Sequence, residues 1–424
     1  MLSTLRNAWK VPELKKKFLW TIFLIAIFRI GTNIPVPGIS KEVLESLAQS
    51  GTLFGFYDLI SGGAFSQFSI LALGVTPYIN ASIIVQLLTI AIPSLEQLSK
   101  EGQEGRKKIQ TITRILSIVI GFILAFGTYN LVASRGAIDE TGFSQIIVVL
   151  ISLVAGSTFS MWLGDQITAK GFGNGTSILI FVNIVSQLPV TLMSLYTLKN
   201  IGKIDIVEIL LFVLFLLLML VASVFFSLAE RRIPVQYAGK AVGNKVMRAQ
   251  NTHIPLSIIG SAVIAIIFSS SVMMFPATLA QFFPNSTLLA NLATSKYSIF
   301  NRESWMYAVI YSLLTIFFTW FYTQITFKPD EMAENLHKSA GFVPGIRPGN
   351  ATEKYFEKLL TKVSLIGGLF AAVLAVLPIL ISNTNLQGIQ FGGTSLLIMV
   401  GVGLDFSRQL DSQLIMRHYQ GFLK

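Results

Sequence analysis

The chain has no cysteine and only three histidines among its 424 residues. The first absence excludes a disulfide framework, a thiolate zinc site and a thiol nucleophile, while leaving the redox compartment open. His253, His337 and His418 all fall between or after the long apolar runs, with no His-Glu-x-x-His helix and no embedded histidine beside a serine. Charge is scarce too, at 12% of residues against 53% apolar, and Asp165 stands as a carboxylate near the end of an apolar run. One carboxylate cannot form a catalytic dyad. The run Gly171-Phe172-Gly173-Asn174-Gly175 lacks the Lys-Ser/Thr pair that completes a phosphate-binding loop, so it reads as a tight turn with a helix N-cap. Neither enzymatic activity nor a cofactor nor a metal is expected, and any nucleotide energy must come from a partner.

What the chain does have is apolar length. Crossing a membrane takes about 20 residues of helix, and candidate runs lie at 18–32, which is marginal unless its flanks contribute, and at 69–92, 109–132, 145–169, 177–198, 207–228, 255–275, 305–327, 363–381 and 392–406. The expected fold is therefore an all-α polytopic membrane protein of ten spans. The net charge of +11 matters less than its placement. With a cytoplasmic N-terminus, the inner segments hold Lys100, Arg106, Lys107, Lys108, Arg231, Arg232, Lys240, Lys245, Arg248 and the lysines and arginine of 328–362. The outer segments hold only Lys41, Arg135, Lys199, Lys203, Lys296 and Arg302, so both termini are expected in the cytoplasm. Residues 1–17 form a basic amphipathic start suited to the membrane surface. The first apolar run is followed by Pro35-Val36-Pro37-Gly38 rather than a small-residue cleavage site, so it is expected to stay as a helix.

Ten spans divide into halves of five, 1–200 and 201–424. Repeats with an odd number of spans must be inverted, although no repeat is visible at the residue level. The stretch 56–67 is apolar but too short to cross, and Gly62-Gly63 supplies a break, which predicts a short re-entrant element. An interfacial turn is the alternative. The following run carries Thr76, Pro77, Tyr78, Asn80, Ser82 and Gln86, polar groups that suit either a pore wall or helix-packing contacts. Arg29, in the outer half of the first span, is open to snorkelling, a bundle-facing contact or a functional role. Two inner loops, 229–253 and 328–362, are too long for connectors and read as ordered protrusions for docking, against the simpler reading of topology-setting charge.

Several runs carry a resemblance: FRIGTNIPVPG, DLISGGAFSQFSILALGVTPYINASIIVQLL, EGQEGRKKI, GFGNGTSILIF, ERRIPVQYAGK with NTHIPL, AENLHKSAGFVPGIRPG and GGTSLLIMVGVGLDFSRQLDSQLIMRHYQGF. The chain resembles the SecY family, the central channel subunits of the bacterial Sec translocon, over essentially its whole length. The resemblance implies an hourglass channel for unfolded polypeptides in the plasma membrane, with two inverted five-helix halves. It assigns a plug to 56–67, with Asp58, Ser61, Gly62, Gly63 and Phe65, and an apolar pore ring to Val75, Ile79, Ile180, Ile267 and Ile398. A lateral gate would run between Thr76, Asn80 and Gln86 on one helix and Ile259, Ile264, Ser271 and Phe275 on another. Cytosolic docking would use Arg231, Arg232, Lys240, Lys245, Arg248 and Arg347. The implied partners are SecE, SecG, the SecA motor ATPase, the ribosome, signal sequences with their unfolded preproteins, and the lipid bilayer.

One stretch departs from the family. After HIPL the family usually carries Lys, Asn, Ala-Gly and Pro, where this chain has Ser257, Ile259, Ser261-Ala262 and Ala265. A drier closed gate and a straighter helix are expected, with Asn80 as a replacement polar group on the opposing helix. The competing class is a secondary transporter, which would need ionisable groups at mid-membrane, and the spans offer few beyond Arg29 and Asp165.

Overall fold

The computed structural model describes residues 9, 11–39, 61–65, 67–134, 138, 142–202, 204–237, 241–242, 245–246, 251–260, 262–282, 298–301, 304–382 and 393–422. Helix α1 (Pro12–Gly31) opens on a proline, which sacrifices no helical N–H there, with Glu13 in its first turn and Arg29 in its last. The chain then turns, and Val36 N–H donates to the Phe68 carbonyl at 2.9 Å while Ile70 N–H donates to that of Ile34, also at 2.9 Å. These two bonds tie the return of the broken segment to the end of α1.

The expected helix over 69–92 is shorter than its apolar composition suggests. The chain runs as turns from 67 to 75, with positive φ at Phe68 (43°) and Gly74 (51°), and α2 (Thr76–Ala91) starts only at Thr76, with Pro77 in its first turn. Proline also sets its end. Ile92, placed before Pro93, is held extended, and the chain bends by 101° into the exposed helix α3 (Pro93–Lys100).

Next come α4 (Gln103–Ser134), α5 (Phe143–Lys170), α6 (Gly175–Asn200) and α7 (Ile206–Leu228). The Asn174 side chain accepts from Ser177 N–H at 3.2 Å, so the glycine-rich run before α6 is a capped turn, as its composition predicts. At this turn α5 and α6 approach backbone to backbone: a Cβ on Gly175 would lie 1.9 Å from the Gly164 carbonyl oxygen.

The chain then leaves helix for β1 (Glu230–Tyr237), the short hairpin β2 (Ala241–Val242) and β3 (Lys245–Val246), and β4 (Asn251–Ser257). The expected span over 255–275 therefore begins late. Pro255 pairs with Arg232 across the β1/β4 ladder, and α8 (Ala262–Phe282) starts after a bend at 258–260. Helices α9 (Trp305–Phe327) and α10 (Pro329–Lys338), strand β5 (Gly341–Phe342), and helices α11 (Asn350–Ser382) and α12 (Gly393–Phe422) complete the described chain.

Six described helices, α4, α5, α6, α7, α9 and α11, are long and apolar enough to cross a membrane, and α2 with α3 makes a bent seventh candidate. Their outer faces are apolar: on α7, Leu210, Leu214, Leu217, Leu218, Val221 and Phe225 are all exposed, a surface that hydrocarbon covers and water would not. This is a multi-pass membrane protein. Strand order β4-β1-β5 joins the two loops expected as separate protrusions into one antiparallel sheet. Its inner face packs Ile233, Val235 and Leu256 against Ala333 and Leu336 of α10 and Phe356 and Leu360 of α11.

Candidate pore and lateral interface

Helices α1, α5, α6, α7, α8, α11 and α12 converge on one buried cluster. Val75, at the last turn before α2, is 1% exposed within it, and Ile180, one turn into α6, is 7% exposed. Ile79 on α2 and Ile398 on α12 are half-buried and pack against the same cluster. Ile267 on α8 is half-buried and is not among the residues of this cluster, which α8 joins through Ala262 and Ile266, with Val263 packed against it. Four chain segments thus bring β-branched aliphatic side chains to the centre of the bundle.

Beside this cluster lies the broken segment. Ser61 Oγ accepts from Phe65 N–H at 3.1 Å, and Ser69 N–H donates to the Ala64 carbonyl at 2.9 Å, so the segment is closed by its own short-range bonds. Phe65 and Phe68 are buried in a second apolar cluster with Tyr129 and Val132 of α4 and Val149 and Leu153 of α5. Asp58 lies outside the described residues. The positive φ values of Gly62 (69°) and Gly63 (88°) are conformations that L side chains rarely adopt, which explains the glycine pair.

Two side-chain hydrogen bonds tie α2 to the second half of the chain. Ser271 Oγ on α8 donates to Asn80 Oδ1 at 3.3 Å, and Tyr322 Oη on α9 donates to Gln86 Oε1 at 2.7 Å. Thr76 is half-buried at the start of α2, and Ile264 is half-buried on α8. Phe275 is on α8, with its side chain outside the description. Ile259 precedes α8 rather than lying on it, and is 4% exposed in the central cluster that also holds Val75. Strand β4 continues to Ser257, so the helix starts only after Ile259.

Tyr322 was not singled out by sequence, because its partner is 236 residues away. The polar set Asn183, Ser186 and Gln187 on α6, next to the broken segment, was also missed. Its i, i+3, i+4 spacing inside the apolar run 177–198 was the available signal. Asp165 resolves differently, since Arg114 Nη2 pairs with it at 2.7 Å between α4 and α5. Among the described residues, no group of three or more His, Cys, Asp or Glu side chains is placed to hold a metal ion.

The SecY family profile matches residues 69–407. The chain is 38% identical over 435 residues to the protein translocase subunit SecY of Thermotoga maritima, covering 100% of this chain and 98% of that protein. It is 42% identical to the protein of the same name from Halalkalibacterium halodurans, with 100% of both covered. The chain belongs to the SecY family. A solved structure described as a protein conducting channel superposes with a TM-score of 0.68 over 97% of both chains, at 18% identity, which shows the shared fold.

Of the basic positions expected for docking in this family, the described ones lie on β1, on the β2–β3 hairpin and in the turn after β5. Arg231 and Arg232 are exposed on β1, and Arg347 is exposed with its carbonyl accepting from Thr352 Oγ1 at 3.0 Å. Lys245 is on β3 with its side chain outside the description, and Lys240 and Arg248 lie outside the described residues. At the base of this unit, Arg408 of α12 reaches Glu230 at 3.5 Å and the Ser227 carbonyl at 3.4 Å.

Proposed function

We propose that this protein is the channel subunit of a protein translocase, which passes unfolded polypeptides across the bacterial plasma membrane with both termini cytoplasmic. The observation that carries this reading is the central aliphatic cluster, to which Val75 and Ile79 at the start of α2, Ile180 on α6 and Ile398 on α12 come from three separate segments. An apolar constriction excludes water and ions at rest yet makes no directional bond to a passing chain, so it suits substrates of any sequence. The broken segment beside it serves as the plug. The halves 1–200 and 201–424 move against each other, and an apolar segment of the substrate leaves between α2 and α8 into lipid, where its transfer is favourable. The chemistry is passage and partitioning, without a covalent step in this chain.

The partners follow from the same family reading. SecE and SecG are the small membrane subunits, SecA supplies nucleotide energy, the ribosome delivers nascent chains, and signal sequences engage the gate. Arg231, Arg232, Lys240, Lys245, Arg248 and Arg347 form the cytosolic docking surface, and a sheet with its own core is a firmer platform than two loops would be. Conductance of the purified protein in a planar bilayer tests the channel reading. The intact chain is expected to be tight, and deletion of residues 58–67 to give large, fluctuating currents. Silence of both forms would remove the plug and favour the transporter class, examined next by solute uptake.

At the gate, the Asn80–Ser271 and Gln86–Tyr322 bonds hold the closed state. Interhelical hydrogen bonds in membranes contribute about 0.6 kcal/mol each on average. Asn80→Ala with Tyr322→Phe is thus expected to shift the closed-to-open ratio about fivefold to tenfold. Export of a reporter with a weakened signal sequence should rise in parallel. Unchanged export in the double variant would count against these bonds as gate contacts.

A further inference from the structure

Arg29 has no role in the ring, the gate or the docking surface, yet it occupies the last turn of α1, half-buried beside the broken segment. Its Nη1 donates to the Gly62 carbonyl at 3.2 Å. Ser186 Oγ on α6 lies 3.5 Å from the same oxygen and donates to the Asn183 carbonyl at 2.7 Å. A Cβ on Gly62 would stand 2.6 Å from Asn183 Oδ1, 2.9 Å from Arg29 Nη1 and 2.9 Å from Asn183 Cα. The Gly62 peptide is therefore clasped between α1 and α6.

A guanidinium within a spanning segment is costly unless it meets an acceptor or water. Carbonyls inside a regular helix are committed to the helical ladder, whereas the turn at Gly62 presents one that a side chain can use. The cation and the broken segment thus satisfy each other. When the segment moves away, both groups must find water, and an opened pore supplies it. The same bond that favours closure therefore has a replacement ready on opening, which suits a reversible contact better than permanent packing.

We propose that Arg29 is a positioning residue that latches the plug, with its bond to the Gly62 carbonyl setting the fraction of channels closed at rest. This rests on reading 56–67 as the plug. A charge-assisted hydrogen bond of ordinary strength changes that fraction by about tenfold or more. The contact also ties plug release to α1, because any displacement of the α1 end from α6 loosens the clasp.

The natural chain has no cysteine, so Phe65→Cys, at a position 4% exposed, introduces a unique thiol whose labelling by a water-soluble maleimide reports plug displacement. Arg29→Met is expected to raise both the labelling rate and the resting planar-bilayer conductance about tenfold or more. Arg29→Lys keeps the cation without the planar fork, and should fall between parent and Arg29→Met. In the background lacking residues 58–67, Arg29→Met should add nothing to the conductance, since the latch has nothing to hold. Parental labelling and conductance in Arg29→Met would overturn the proposal, as would an equal rise in the deletion background, which indicates a general structural role. If Arg29→Met fails to accumulate, parental labelling in Arg29→Lys overturns it instead. A deletion that leaves the protein silent defeats the plug reading itself, whereas a deletion that opens the pore beside an inert Arg29→Met defeats only the latch.

Discussion

Resting ion conductance rises about a hundredfold when Ile79 and Ile180 are both replaced by serine, the expected result if the aliphatic cluster is the barrier. Each substitution removes about three carbons from a site where a methylene contributes roughly 0.8 kcal/mol when fully withdrawn from water. Ile180 is 7% exposed, so nearly the full term applies there, and Ile79 is half-buried, so about half applies; the pair gives roughly 3 to 4 kcal/mol as an upper bound, which contains the roughly 2.7 kcal/mol of a hundredfold rise. Serine also offers water a donor and an acceptor where isoleucine offers neither, which promotes wetting of the constriction. Ile79→Val with Ile180→Val retains β-branched aliphatic walls and should remain close to parental. Both pairs are measured as planar-bilayer current without substrate. A serine pair as tight as the parent would place the barrier elsewhere, with the plug as the first alternative.

Reading the sequence located most of the bundle because hydropathy and length suffice for helices such as α4 to α7, α9 and α11, whose outer faces meet lipid. It located the α5–α6 turn because Asn174 caps α6 through its own side chain, a local effect. It failed where long-range backbone pairing overrides composition. Residues 69–75 are apolar enough for helix, but Ser69 is bridged to Pro35 and Ile70 is bonded to Ile34, contacts that no window of hydropathy contains. Pro255 and Leu256 continue β4 rather than starting α8, because β1 pairs with them and Leu256 is buried under α10 and α11. The second loop joins that sheet through Gln236 opposite Phe342, a pairing of residues more than a hundred positions apart. For the candidate site, the family resemblance named Val75, Ile79, Ile180 and Ile398, which pack in or against the central cluster, because aliphatic residues in an apolar run look alike wherever they face. Arg29–Gly62 and Gln86–Tyr322 depend on which helices become neighbours.

Gly175→Leu is expected to prevent accumulation of folded protein. The obstruction is backbone, not a pliable side chain: the Cβ would stand 1.9 Å from the Gly164 carbonyl oxygen and 2.8 Å from Ile167 Cβ. Neither can retreat without moving α5 away from α6, because Leu163 and Ile167 on one side and Ile178 and Leu179 on the other are fixed in the central cluster. Small residues permit such close approach in membrane bundles, where packing rather than water exclusion drives helix association. Separating the two helices opens voids along the contact, a loss of about 4 kcal/mol or more in a protein whose whole margin is of the order of 5 to 15 kcal/mol. Gly403→Ala is the matched control, since a Cβ there meets nothing within 4 Å. The readout is the monodisperse fraction on size exclusion after detergent extraction, expected to collapse for Gly175→Leu and to hold for Gly403→Ala. Ile180 lies five residues beyond Gly175 on the same helix, so Gly175→Ala, a milder wedge, should leave a folded minority with raised resting conductance. A folded and tight Gly175→Leu protein would mean that α5 and α6 can separate without disturbing the aliphatic cluster, and the close glycine contact would then have no part in sealing the pore.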